Sequence, residues 1–151
     1  WTFKPPRKKL IFMDMTIHDF DMARFLMITA TSGTNHDLAV MFSNAAQAKG
    51  HEAEIVDLAE LDLPMFTLAR SKDPEKTPDI SGLIQKMMDS DSWVVIAPEY
   101  NGSYPPTLNN AIAWMSRDWQ NFRSMCTGKP VGLATHSGGG GAHVGGGVAH
   151  D

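Results

Sequence analysis

Three short segments carry the side chains and backbone freedom that chemistry would need: TSGTNHD (31–37), PEYNGSYPP (98–106) and HSGGGGAH (136–143). In the first, small and hydroxylated residues run straight into what reads as a helix start. Two readings stand level. Thr34 or Asn35 could cap the orphan N–H groups of that helix while Asp37 complements its dipole. Alternatively, backbone N–H groups and the Ser32 and Thr34 hydroxyls could surround a phosphate. Neither the GxxxxGK[ST] loop of nucleoside-triphosphate sites nor the GxGxxG dinucleotide fingerprint is present, so a phosphate monoester fits this turn better than either.

The second segment is dense in groups able to line a flat ligand. Asn101-Gly102 is a strong turn signal, and Pro105-Pro106 leads into a helix. Tyr100 and Tyr104 offer aromatic faces and edges, and the backbone near Gly102 can approach a ligand closely. Glu99 is open to a catalytic, a positioning or a merely solvated role. No second carboxylate or histidine lies near it in sequence to support hydrolysis.

In the third segment, the glycines after Ser137 could let the backbone pass flush against a ligand, or could simply form a flexible terminus. Ser137 beside His136 lacks the GxSxG elbow of a serine hydrolase. His136, His143 and His150 recur every seven residues, but on a glycine-rich stretch they have no framework to hold a metal. The chain has a single cysteine, Cys126, which excludes an intrachain disulfide, suits a reducing cytoplasmic compartment and reads as a lone thiol near a helix end.

These segments need elements to position them. RFLMITA (24–30) is a continuous apolar run, as in a strand buried on both faces. Leu38, Phe42, Ala45 and Ala46 mark a helical stripe that stops at Gly50. EAEIVDL (52–58) alternates as a second strand, and a Pro-, Asp- and Lys-rich loop follows it. Ile80, Leu83, Ile84, Met87 and Met88 give another helical face, SWVVIA (92–97) another buried strand, and Leu108, Ala111, Ile112 and Met115 a further helix. KPVGLATH (129–136) is a short fourth strand. Alternating strands and helices predict an α/β domain with a parallel sheet. Ligands of such sheets bind beyond the carboxyl ends of the strands, where all three segments fall.

At 151 residues, with 42% apolar and 20% charged side chains, the chain is long enough for one domain with a proper core. A net charge of −4 argues against nucleic-acid binding by phosphate neutralisation, and no segment reaches the ~18 apolar residues of a membrane span. Residues 1–21 read as an extension ahead of a domain spanning 22–144, with 145–151 a Gly-rich tail. Seven of the thirteen glycines follow Ser137, a composition that disfavours a helix there.

Taken together, PEYNGSYPPTLNNAIAW, KPVGLATHSGGGGAH and, more loosely, TATSGTNHDLA resemble the NADPH-dependent FMN reductase family over most of the chain, about residues 24–144. The resemblance implies a flavodoxin-like three-layer αβα sandwich with a parallel sheet, lacking here the fifth strand and last helix. It implies FMN and NAD(P)H as cofactors, a small-molecule electron acceptor such as a quinone or azo compound, and a homodimer where the full fold is present. Position by position, Ser32, Thr34 and Asn35 match the family's phosphate-binding turn. Pro98, Glu99, Tyr100, Asn101, Gly102 and Ser103 match the loop that holds the isoalloxazine ring. His136, Ser137, Gly138 and Gly139 match the loop at the ring's other edge. The family commonly has an arginine in the first loop, and His36 is the nearest counterpart. No catalytic acid or base and no metal ligand is expected, because the protein's task is placement. The rival expectations are a flavodoxin-like FMN electron carrier and a truncated, non-catalytic remnant.

Overall fold

The computed structural model describes residues 22–136; the expected extension (1–21) and everything from Ser137 onward, including the Gly-rich tail and the question of a fifth strand, lie outside the described residues. Four parallel strands, β1 (Arg24–Thr29), β2 (Glu52–Asp57), β3 (Ser92–Ile96) and β4 (Val131–Ala134), pair in the order β2-β1-β3-β4. Five helices accompany them: α1 (Thr34–Gln47), α2 (Leu68–Ser71), α3 (Ser81–Asp89), α4 (Pro106–Met115) and α5 (Trp119–Cys126). The strand order is the beginning of the flavodoxin-like 2-1-3-4-5 arrangement.

The central position of β1 explains its unbroken apolar run. Leu26 and Met27 point to opposite faces, and each is almost wholly buried, at 1% and 2% exposure. On one face Leu26, Ile28, Val56 and Trp93 pack against Leu83 and Met87 of α3, Leu108, Ala111 and Met115 of α4, and Met125 of α5. On the other, Met27, Val94 and Ile96 meet Ala39, Leu38, Phe42 and Ala46 of α1. Each such fully buried side chain contributes roughly 1.5–3 kcal/mol of transfer free energy. The result is the expected three layers, with α1 on one side of the sheet and α3, α4 and α5 on the other.

The edge strands are less apolar for a physical reason. Among the described residues β2 and β4 are the outer strands, and Glu52 and Glu54 of β2 are exposed, as are Val131 and Leu133 of β4, because an outer strand has a covered neighbour on one side only. The stop of α1 falls as expected, with Gly50 at φ +84°. One helix, α2, was not anticipated, and α5 was foreseen only by its end near Cys126. In α2 the Thr67 hydroxyl accepts a hydrogen bond from the Arg70 N–H, so a capping threonine makes one turn inside a loop. In α5 the Asp118 carboxylate caps the Asn121 N–H in the same manner.

The strand registers align the carboxyl ends of the sheet. Thr29 lies opposite Asp57 on one side and Ile96 on the other, and Ile96 lies opposite Ala134. Four chain segments therefore leave the sheet at one level.

Candidate functional site

Strand order reverses at β1, since the chain goes from β1 to β2 on one side and later to β3 on the other. That reversal is where open α/β sheets form a crevice. The segments leaving β1 and β3 are tied together at its base. The Ala30 N–H donates to the Ile96 carbonyl at 2.9 Å, and the Thr107 hydroxyl of α4 donates to the Ala30 carbonyl.

The first loop turns into α1 at Gly33, whose φ of +77° suits glycine. Among the described residues no side chain caps α1, so of the two level readings the capping by Thr34 or Asn35 is not observed, although Asp37 does lie in the first turn. Ser32, Gly33 and Thr34 are exposed, so the uncapped amides of the first turn share an open surface with two hydroxyl-bearing residues. Asn35 has a different task. It is only 6% exposed, and its side-chain carbonyl accepts the His136 N–H at 3.2 Å, joining the loop after β1 to the segment after β4.

Beneath this turn lies Asp57, the last residue of β2, at 6% exposure. The Ser32 hydroxyl donates to its Oδ2 at 3.0 Å, and the Ala59 N–H donates to its Oδ1 at 2.9 Å. His36 Nδ1 stands 3.4 Å from the same Oδ2. A buried carboxylate needs such partners, because an unpaired one would lose its hydration without compensation.

The second loop is a tight two-residue hairpin. Tyr100 and Ser103 exchange both backbone hydrogen bonds, at 2.9 and 3.0 Å, around Asn101 (φ +52°) and Gly102 (φ +75°). Two positive φ values in succession define the type I′ turn that Asn-Gly favours. The Glu99 carboxylate accepts the Gly102 N–H, so it is engaged with the turn itself. Pro98 and Glu99 are half-buried, Asn101 to Ser103 exposed, and Tyr100 and Tyr104 present 48% and 42% of their surface. Pro105 is buried, and Pro106 opens α4.

The structure thus brings Ser32, Thr34, Asn35 and His136 together, with Pro98 to Ser103 beside them at the reversal point. Ser137, Gly138 and Gly139 lie outside the described residues. Asp57 and Thr107 belong to this site, and sequence reasoning missed both. The available signal was a fourth strand end: a charged residue closing the apolar run of β2 must meet polar partners where the sheet opens.

The chemistry on offer is recognition. Uncapped amides and hydroxyls suit a phosphate, and the exposed tyrosines and tight turn suit a planar group next to it. Among the described residues no group of three or more histidine, cysteine or acidic side chains is placed to hold a metal, and no helix is long and apolar enough to cross a membrane. Cys126 ends α5 and packs on the core rather than in the loops. Burial pushes its thiol up, against the opposing pull of Lys129, so it is a weak nucleophile at neutral pH.

Comparison with known proteins agrees with this geometry. The family described as NADPH-dependent FMN reductase matches residues 24–149. An FMN-dependent NADPH-azoreductase of Staphylococcus aureus is 31% identical over 122 residues, which cover 78% of this chain and 62% of that protein. The solved structure of FerB, a flavoenzyme NAD(P)H:(acceptor) oxidoreductase from Paracoccus denitrificans, superposes with a TM-score of 0.61 and 27% identity, over 78% of this chain and 62% of that one. The chain therefore spans 62% of the length of each of these two relatives.

Proposed function

The chain belongs to the NADPH-dependent FMN reductase family, and from that premise we propose that it binds FMN at the open end of its sheet and reduces a small-molecule acceptor, such as a quinone or azo compound, at the expense of NAD(P)H. The observation that carries this reading is the α1 N-terminus at the reversal point, uncapped by any side chain and exposed beside Ser32 and Thr34. The Thr34 hydroxyl and the first-turn amides of α1 hold the phosphate, while the Ser32 hydroxyl donates to Asp57 beneath them. Asn35 keeps that turn in place through the His136 N–H.

The hairpin of residues 98–103 lies along the ring, with Glu99 and Gly102 fixing its shape and Tyr100, Asn101 and Ser103 facing the ligand. His136, Ser137, Gly138 and Gly139 line the other edge. FMN, when bound, accepts a hydride from the nicotinamide and passes electrons to the acceptor. The chain's own residues bind, orient and exclude water, and no side chain acts as acid or base. The protein works in the cytoplasm as a homodimer. Exposed Leu61, Met65 and Leu68 beside α4 support the second copy, a segment that Asn110 ties down through the carbonyls of Leu63 and Pro64.

FMN titration followed by flavin fluorescence tests the reading, with saturable one-to-one binding expected at about micromolar Kd or tighter. Trp114 is a poor reporter of direct contact. It is buried, donates to the Pro64 carbonyl at 2.6 Å and packs edge-on against Phe66. NAD(P)H oxidation with FMN and a quinone then tests turnover. A chain folded by circular dichroism that shows no saturable FMN binding would sink the proposal.

A further inference from the structure

Asn35 is the second residue of α1 and stands in line with Ala39 and Ser43, the other buried residues of that helix. A spacing of four keeps the three on one side of the helix, the side that Ala39 lays against Met27, Val94 and Ile96 of the sheet. The Asn35 side chain therefore enters the molecule, while Gly33 and Thr34 just before it are exposed. Its carbonyl oxygen accepts the His136 N–H at 3.2 Å.

The two ends of that bond differ in what else holds them. The turn before Asn35 is also braced by the Ala30 N–H on the Ile96 carbonyl, by the Thr107 hydroxyl on the Ala30 carbonyl and by the Ser32 hydroxyl on Asp57. Behind it stands a helix of 14 residues. The segment after β4 has far less. The β3–β4 pairing closes at Ile96 and Ala134, where the Ala97 N–H donates to the Ala134 carbonyl at 3.0 Å. In a parallel ladder every second residue bonds to the same neighbour. Two residues past Ala134, the His136 N–H turns instead to Asn35. Among the described residues, that is the one hydrogen bond of Thr135 and His136.

We infer that Asn35 is a positioning residue for the flavin ring and not a ligand of the phosphate: through the His136 N–H it fixes the segment after β4 that borders the ring. The inference rests on the FMN reading above. Without the bond, the α1 turn keeps its other braces and its hold on the phosphate, while the segment at the ring's edge loses its tether. The cost of ordering that segment then falls on the binding of any flavin, phosphorylated or not.

Riboflavin, which carries the same ring without the phosphate, separates the two roles. Kd is measured by flavin fluorescence for FMN and riboflavin, with the unaltered chain and with each variant. Asn35→Leu keeps the branched shape without the acceptor and is expected to weaken both flavins by the same factor, about five- to tenfold for one lost hydrogen bond. Thr34→Ala is expected to weaken FMN alone. Asn35→Asp keeps an acceptor for the His136 N–H but adds a charge beside the phosphate, so riboflavin binding should be retained while FMN binding falls. From the other end, His136→Pro removes the N–H and His136→Ala keeps it. The first should bind both flavins more weakly than the second, and adding Asn35→Leu to it should cause no further loss. The two His136 variants carry the test if Asn35→Leu does not fold by circular dichroism.

Loss of FMN affinity in Asn35→Leu with riboflavin untouched would overturn the inference and make Asn35 a phosphate ligand. Full retention of both affinities by a folded Asn35→Leu, or equal binding by His136→Pro and His136→Ala, would overturn it as well. Failure of both flavins to bind the folded, unaltered chain would instead remove the FMN reading, and this inference with it.

Discussion

The turn after β1 and the turn after β3 face the same crevice but are built in opposite ways. The hairpin of residues 98–103 is held by its own residues: Tyr100 and Ser103 pair across two positive-φ positions, and Glu99 closes on Gly102. The turn of residues 31–35 is held by partners far away in sequence. Ser32 leans on Asp57, Asn35 on His136, and Ala30 on Thr107 of α4. Self-contained turns place exposed groups reliably at little risk to the fold. A turn braced from three other elements couples its exposed surface to the packing of the whole sheet, and it can carry a buried charge that a local turn could not satisfy.

If that contrast holds, damage to the two turns should differ in size and reach. Asp57→Ala should have the largest effect, because it strips partners from the Ser32 hydroxyl, the Ala59 N–H and His36 at a buried position. A loss of about 2–3 kcal/mol in urea unfolding is expected, with FMN affinity reduced as well. The 98–103 hairpin should persist in the folded fraction, seen as unchanged amide shifts for Asn101 and Gly102. Spread of the disturbance into the hairpin would break the comparison.

Gly102→Val comes next. At φ +75° a β-branched side chain is strained whatever the space around it, and about 1–2 kcal/mol should be lost. Here the expected pattern is reversed: riboflavin and FMN binding weaken together, while the amide shifts of Ser32 to Asn35 stay in place. Thr107→Val is the mildest of the three. It keeps the shape of the side chain but removes the donor to the Ala30 carbonyl, so about 1 kcal/mol is expected. Shift changes reaching both turns would identify Thr107 as the link between them, whereas changes confined to α4 would show the turns to be independent.

The same contrast explains what could be read from residue types alone. Continuous apolar runs marked β1 and β3, alternation marked β2, and helical stripes marked α1, α3 and α4, because burial imposes its period on the chain directly. The Asn-Gly pair disclosed the second turn, since its φ requirement is local. α2 went unanticipated because it is a single turn that depends on one capping residue, Thr67, and α5 was foreseen only by its end near Cys126, although Phe122, Met125 and Cys126 share its core-facing side. For the first turn, capping and phosphate binding were equally consistent with TSGTNHD. The structure removes the capping alternative by turning Asn35 toward His136 and leaving the α1 amides uncapped.

Residue order by itself determined the alternating α/β architecture, the parallel sheet and the position of the turns that follow β1 and β3, because hydrophobic periodicity and turn propensity act over a few residues at a time. Only the tertiary structure decided that Asp57 lies beneath Ser32 and beside His36, a contact spanning more than 20 positions. Sequence spacing within one element says which residues share a face. Which face meets which strand end is set by the registers of β1 with β2 and β3, and those registers place Thr29 between Asp57 and Ile96 at the mouth of the crevice. The electrostatic character of the site follows from that placement: a buried carboxylate costs too much to leave unpaired, so its position dictates where the imidazole and the hydroxyl must stand.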